Sequence, residues 1–169
     1  MSLDKVDTGQ VLGCNGRETV KRVIPLTFVL CVLSVNVQAQ DSDVRRLMAA
    51  FIGALQNLDW PTFRQCWADN PVLYGNADAT RREGAFFESE WRMGFQQMRE
   101  AAAARGVTSA PYVKVDPEDM RIDFPSPTVA VVTFHLTSLN RLRRRMFVAA
   151  KTGSGWKITH LDVSDISAR

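Results

Sequence analysis

From Val44 onward the apolar positions recur at spacings of three and four. Val44, Leu47, Met48, Phe51, Leu55 and Leu58 form one stripe with polar residues between them. That periodicity predicts an amphipathic helix over 41–58. It is opened by Asp41-Ser42-Asp43, whose short side chains carry oxygens able to accept from the unpaired N–H groups of a first turn. Asp59-Trp60-Pro61 restarts a shorter helix, since proline is tolerated where its missing N–H has no partner to lose; Phe63 and Trp67 lie four apart along it. Asn70-Pro71 ends that helix, and Val72-Leu73-Tyr74 reads as a short strand closed by Gly75-Asn76. A polar stretch, Thr80-Arg81-Arg82-Glu83-Gly84, leads into a third helix over 85–104. Its apolar stripe is Phe87, Trp91, Phe95, Met98 and Ala102, and Gly106 supplies the C-cap.

After Pro111 the period changes. Met120-Arg121-Ile122-Asp123-Phe124 alternates, Pro125-Ser126-Pro127 turns the chain, and 129–137 is a β-branched run. The segment 142–151 alternates less cleanly. Thr152-Gly153-Ser154-Gly155 reads as a hairpin connection into a last strand over 156–164. Helices first, then consecutive hairpin-linked strands, predict the α+β class with an antiparallel sheet.

Upstream, Lys21-Arg22 precedes an apolar run over 23–35, followed by Asn36-Val37-Gln38-Ala39-Gln40. A basic start, an apolar stretch of about 13 residues and Val37 and Ala39 before a cut describe a secretion signal. The run is shorter than the roughly 20 residues a membrane span needs. The expectation is a signal peptide over 20–39, cleaved between Ala39 and Gln40, and a periplasmic or secreted product with no membrane segment. Residues 1–19 are polar and of mixed charge; they are expected to be a mis-assigned start, with Val20 the true initiator, or an unstructured extension.

Composition narrows the picture further. A chain of 169 residues leaves room for one domain, and 46% hydrophobic with 23% charged residues excludes disorder. The formal net charge of +3 is too balanced to argue for nucleic acid. Of Cys14, Cys31 and Cys66, the first two fall in the leader; Cys66 alone cannot make an internal disulfide and reads as a packed helix residue. No His or Cys stands near it at metal-ligand spacing, so neither metal nor cofactor is expected.

The closing segment Gly155-Trp156-Lys157-Ile158-Thr159-His160-Leu161-Asp162-Val163-Ser164 resembles the final strand of SnoaL-like proteins of the nuclear transport factor 2-like superfamily. The resemblance extends to Leu58-Asp59-Trp60 with Phe63 and Trp67, to Ala130-Val131-Val132-Thr133-Phe134, and to Arg144-Arg145 before a strand. It covers nearly all of 41–166. The association domain of calcium/calmodulin-dependent kinases is similar, with two histidines where this chain has His160 and Asp162. The resemblance implies a cone-shaped α+β domain, three N-terminal helices packed in a curved antiparallel sheet, with a pocket open at one end. The superfamily holds cyclases, isomerases, dehydratases and epoxide hydrolases beside non-catalytic binding and assembly domains, so the fold leaves the function open.

Candidate chemistry gathers on the strands. Trp156, Ile158, His160, Asp162 and Ser164 lie two apart and are expected to share one face. His160 could then serve as a base near neutral pH with Asp162 as its orienting partner; the alternative is a hydrogen-bonded structural His160 and a solvated Asp162. His135 on the neighbouring strand, with Arg145, could bind a carboxylate or phosphate. Alternation sends Arg143 and Arg145 one way and Arg144 the other; Arg145 is favoured as the inward one, against a plain solvated strand end. Tyr74 and Trp91 complete the set, the tyrosine as a possible stabiliser of an enolate and both as simple packing residues in the alternative. The expected pocket is thus Tyr74, Trp91, His135, Arg145, Trp156, His160 and Asp162. No acid pair of the isomerase kind and no Asp-Arg-Asp arrangement is found. Three readings follow: a domain that binds a small, partly apolar and anionic organic molecule and forms a homodimer through its sheet; a lyase or isomerase with His160 as base and Tyr74 or His135 stabilising negative charge; and a purely assembling domain.

Overall fold

The computed structural model describes residues 26–74, 81–138 and 141–165. The readings for 1–19, for the start of the leader and for Gly75-Asn76 lie outside them. Helix α1 spans Leu26–Asn57, so helical backbone runs on upstream of the expected start and passes through Ala39 and Gln40 without a break. No helix among the described residues is long and apolar enough to cross a membrane. The described burial begins at Val44 and continues through Met48, Phe51, Ala54 and Leu58, the predicted stripe.

The end of α1 is built from two backbone hydrogen bonds, Leu58 N–H to Leu55 at 3.3 Å and Asp59 N–H to Ala54 at 2.9 Å. This closing motif needs a left-handed residue, and Leu58 takes it with φ of 52°. A leucine pays a steric penalty there that glycine would not, yet it is only 3% exposed; its burial outweighs that penalty of about 1–2 kcal/mol. Asp59 at once caps α2 (Trp60–Gln65), accepting from Thr62 N–H at 3.2 Å and from its hydroxyl at 2.6 Å. The sequence reading carried this helix on to Asn70-Pro71, but the chain leaves it at Cys66 and enters strand β1 (Trp67–Tyr74). Arg64 fixes the exit: its guanidinium bonds Glu88 at 2.8 Å and the Ala68 carbonyl at 2.9 Å.

A short strand β2 (Arg81–Glu83), absent from the sequence reading, precedes α3 (Gly84–Ala104). It is three polar residues long and has no apolar alternation to betray it; antiparallel pairing with β1 makes it a strand. Strands β3 (Glu118–Ser126), β4 (Val129–Ser138), β5 (Arg141–Thr152) and β6 (Gly155–Asp165) follow as antiparallel neighbours. The six strands form one curved sheet in the order β2-β1-β6-β5-β4-β3. The pairing of β1 with β6 is parallel, so the sheet is mixed where a wholly antiparallel one was expected.

The helices fill the concave side. Phe63 sits at the centre of an aromatic cluster, with ring centroids 5.2 Å from Phe51, 4.7 Å from Trp91 and 4.9 Å from Phe95. Such tilted and edge-on contacts add to the area they bury. Between α3 and β3 the chain is tied to the end of α1: Gln56 donates to the Val115 carbonyl at 2.8 Å and accepts from Tyr112 N–H at 2.8 Å.

One irregularity decides the site. On β6, Ile158 pairs with Ala149, yet the next pairing toward the start of β5 joins His160 with Val148. Thr159 is the extra residue of a β-bulge. Its hydroxyl donates to the Val148 carbonyl at 3.0 Å, covering an acceptor that the broken ladder leaves open. Because one residue is added to a two-residue period, every side chain beyond it changes face.

Candidate functional site

Between α1, α3 and the concave face lies a cavity of about 290 Å³. Helices supply Phe51, Leu55, Trp91 and Met98; the sheet supplies Leu73 from β1, Phe134 and Leu136 from β4, Arg145 and Phe147 from β5, and Leu161 and Val163 from β6. Val115 closes one side, held there by its bond to Gln56. Arg145 is the only charged group among these lining residues. Along β5 the inward positions are Arg143, Arg145, Phe147 and Ala149, half-buried at the first two and fully buried at the last two. The depth of the cavity is therefore apolar and its cation lies toward the mouth.

Two of the expected pocket residues, Trp91 and Arg145, line this cavity. The others do not, and each for a definable reason. Trp156 is buried in the core, its ring 6.0 Å from Phe124, and it lies toward the α1 turn that holds Asp43, Leu47 and Ala50. His160, Asp162 and Ser164 were expected beside Trp156 and Ile158; the bulge at Thr159 turns them to the outer face and brings Leu161 and Val163 inward instead. His135 lies between inward Phe134 and Leu136, pairs with Arg144, and faces outward with it. Tyr74 likewise follows inward Leu73 and faces outward.

The outer face holds a shallow groove of about 460 Å³, where Tyr74, His160 and Asp162 stand over Met146, Val148 and Leu161. Register places Tyr74 opposite Asp162, and Asp162 opposite Met146. His160 Nδ1 lies 3.0 Å from the Thr159 hydroxyl. Since that hydroxyl spends its one proton on Val148, the ring must donate from Nδ1, which leaves Nε2 of the neutral imidazole as the acceptor. Three of the large exposed apolar side chains share this face: Tyr74, 39% exposed, with Met146 and Leu142, each 38%. Large apolar side chains exposed together on one face mark contact surfaces.

Residues missed by the sequence reading are nearly all apolar. Phe134, Leu136 and Phe147 follow from the alternation of β4 and β5 once Arg145 is taken as inward. Leu161 and Val163 could not be found that way, because no local feature of the sequence announces the bulge. Cys66 has no catalytic surroundings: burial pushes its thiol pKa up, the nearby Lys157 charge offsets part of that, and its sulfur donates to the Thr62 carbonyl at 3.4 Å.

Comparison with known proteins agrees with this architecture. Among curated proteins none matches the chain. A candidate dehydratase of the nuclear transport factor 2-like family from Streptomyces avermitilis superposes with a TM-score of 0.62 at 14% identity, covering 78% of this chain and 99% of that one. A nuclear transport factor 2-like protein with a cystatin-like fold from Novosphingobium aromaticivorans gives 0.59 at 12% identity, over 87% and 94%. A candidate ketosteroid isomerase from Shewanella frigidimarina gives 0.54 at 20% identity, over 74% and 97%. At such identities the likeness is one of fold. The sequence pattern of the SnoaL-like domain matches residues 44–168, from Val44 in α1 to beyond the last strand, and the chain belongs to that family.

Proposed function

We propose that this is an exported small-molecule-binding protein whose site is the concave cavity and whose ligand is mostly apolar and anionic. One observation carries the reading: among the described residues lining a cavity of about 290 Å³, the guanidinium of Arg145 is the one charged group and the others are apolar or aromatic. A cation bordered by hydrocarbon attracts an anion more strongly than one in open water, because the surrounding dielectric is low. The size suits a compact organic molecule. Among the described residues the cavity lining contains no His, Asp, Glu, Tyr or Cys, and His160 lies on the outer face, away from a molecule bound there.

Export follows the leader pattern. Cleavage after Ala39 would leave a helix whose first turn holds Asp41, paired with Arg45 at 2.6 Å, just before the first buried side chain, Val44. Native mass spectrometry of protein isolated from the periplasm tests both parts at once. The expected species begins at Gln40 and carries a small acid that is lost in Val163→Trp, which fills the cavity. A cytosolic chain retaining residues 20–39 would remove the export reading. A wild-type cavity that takes up no small molecule, native or added, would remove the binding one.

A homodimer is the second part of the proposal, favoured by the apolar outer face. That face also carries both signs of charge, Asp123 and Asp162 against Arg121 and Arg144, as a self-complementary surface requires.

A further inference from the structure

Where the end of α1, the start of α2 and the middle of α3 meet there is a groove of about 270 Å³, which shares no lining residue with the cavity or with the outer face of the sheet. Leu58, Trp60 and Phe95 supply its apolar surface, and the exposed side chains of Arg92, Gln96 and Arg99 edge it along α3. Spacings of four and three set those three on one ridge of the helix, with Arg92 and Arg99 about 10.5 Å apart along its axis. Both guanidiniums are held in place. That of Arg92 lies over the Trp60 ring, 4.4 Å from its centroid. That of Arg99 lies 5.3 Å from the centroid of Tyr112 and donates to the Leu58 carbonyl at 3.2 Å. Stacking uses the flat face of a guanidinium and leaves N–H edges for an incoming carboxylate. Neither arginine makes an ion pair with a described residue: Glu88 is held by Arg64, and Glu100 accepts from Gln96 at 2.9 Å. Arg92 and Arg99 are the charged groups of the described lining, so the groove presents charge of one sign. Beside the ridge stands Met93, at 55% the most exposed large apolar side chain among the described residues. Neither the cavity nor the outer groove uses it.

We propose that this groove receives an acidic amphipathic helix of a protein partner. Two of its carboxylates, seven residues apart, face Arg92 and Arg99, and an apolar side chain between them enters the groove over Leu58 and Phe95. Spacing carries the assignment. One carboxylate cannot meet two guanidiniums so far apart, whereas a helix presents the same face again after seven residues, over the same rise of about 10.5 Å. A small molecule would be enclosed on most of its surface, which a groove edged by three exposed side chains does not do. Tryptophan and arginine are the residue types that dominate binding energy at protein interfaces, and stacking has already ordered both arginines, so docking costs little further rotamer freedom. A helix seated on the ridge also covers Met93, three residues from Gln96.

Fluorescence anisotropy of the whole protein with two labelled alanine-rich helical peptides tests this. One carries two glutamates seven residues apart with a leucine midway; the other has the same composition with the glutamates on opposite faces. Vesicles of phosphatidylglycerol, read by co-sedimentation, are the third probe. The first peptide should bind about three- to five-fold more tightly than the second, the worth of one good exposed ion pair. Arg92→Gln and Arg99→Gln should each weaken the first peptide about two- to five-fold. Lys151→Gln, which removes an exposed cation elsewhere, and Val163→Trp, which fills the cavity, should leave it unchanged. Arg99 also ties the Leu58 carbonyl; should its variant not fold, Arg92→Gln, which takes no hydrogen bond from the described fold, carries the comparison alone. Equal affinity for the two peptides overturns the helix register, and binding that survives loss of both arginines overturns the site. Binding of the vesicles through Arg92 and Arg99 but of neither peptide overturns the protein partner in favour of an anionic membrane surface. Binding of none of the three probes overturns the proposal.

Discussion

Cys66 is the described residue whose titration departs most plainly from that of a free side chain, and the cause is burial. The folded protein keeps the thiol protonated at a pH where the unfolded chain releases it. Stability from this source is therefore whole below about pH 8.5 and falls as pH rises through the unfolded value toward the raised folded one. The expected measurement is a urea midpoint that drops between about pH 8 and 10 more steeply in the wild type than in Cys66→Ala; parallel curves would show that burial of this thiol contributes nothing. His160 is exposed on the outer face, where its Nδ1 lies 3.0 Å from the hydroxyl of neighbouring Thr159. His160→Ala is expected to change unfolding free energy by no more than about 0.5 kcal/mol and to leave ligand affinity of the cavity unaltered.

At the scale of elements, the bulge in β6 is the feature on which the site depends. With no bulge at Thr159, a regular strand with Trp156 and Ile158 buried would place His160 inward and Leu161 outward. The observed pairing instead joins 158 to 149 and 160 to 148. Deleting Thr159 should thus be accepted by the ladder: Leu161 and Val163 stay on the cavity side, and the cost is the lost hydrogen bonds to Val148 and His160 and some curvature, about 1–3 kcal/mol. Deleting Leu161 removes a cavity wall and turns Val163 to the outer face, so that variant is expected to unfold at far lower denaturant. Equal loss from the two deletions, compared by denaturant titration, would mean that Thr159 is not the surplus residue. The same economy appears between α1 and α2, where Asp59 donates its N–H to one helix and caps the next with its carboxylate.

Considered whole, the molecule has two faces with different work. The concave face is closed by helices except at its mouth, whereas the outer face leaves Tyr74, Leu142 and Met146 in contact with water. Leu161 borders both the cavity and the outer groove. If the outer face is the dimer surface, Met146→Asp should convert the protein to a monomer, because a symmetric interface buries the new charge twice. Sedimentation velocity over a range of concentrations reads this directly; a wild type that stays monomeric throughout would assign the face another occupant.

Much of the architecture was legible from local patterns. The stripe from Val44 to Leu58, the alternation of β3, the β-branched run of β4, the two-glycine hairpin before Trp156 and the Pro and Gly stops each reflect a requirement that a few neighbouring residues meet by themselves. That is why α3, β4 and β5 lie within a residue or two of where the sequence put them. The inward direction of Arg145 was readable for the same reason. What the sequence could not supply depends on partners distant along the chain. Polar Arg81–Glu83 becomes a strand only because β1 offers an edge, and β1 lies parallel to β6 because of the path the chain takes around the cone. The sorting of Tyr74, His160 and Asp162 from Trp91 and Arg145 was decided in the same way. Alternation is a local rule, but which face it begins on, and where a bulge resets it, is chosen by which arrangement buries the most apolar surface in the finished fold.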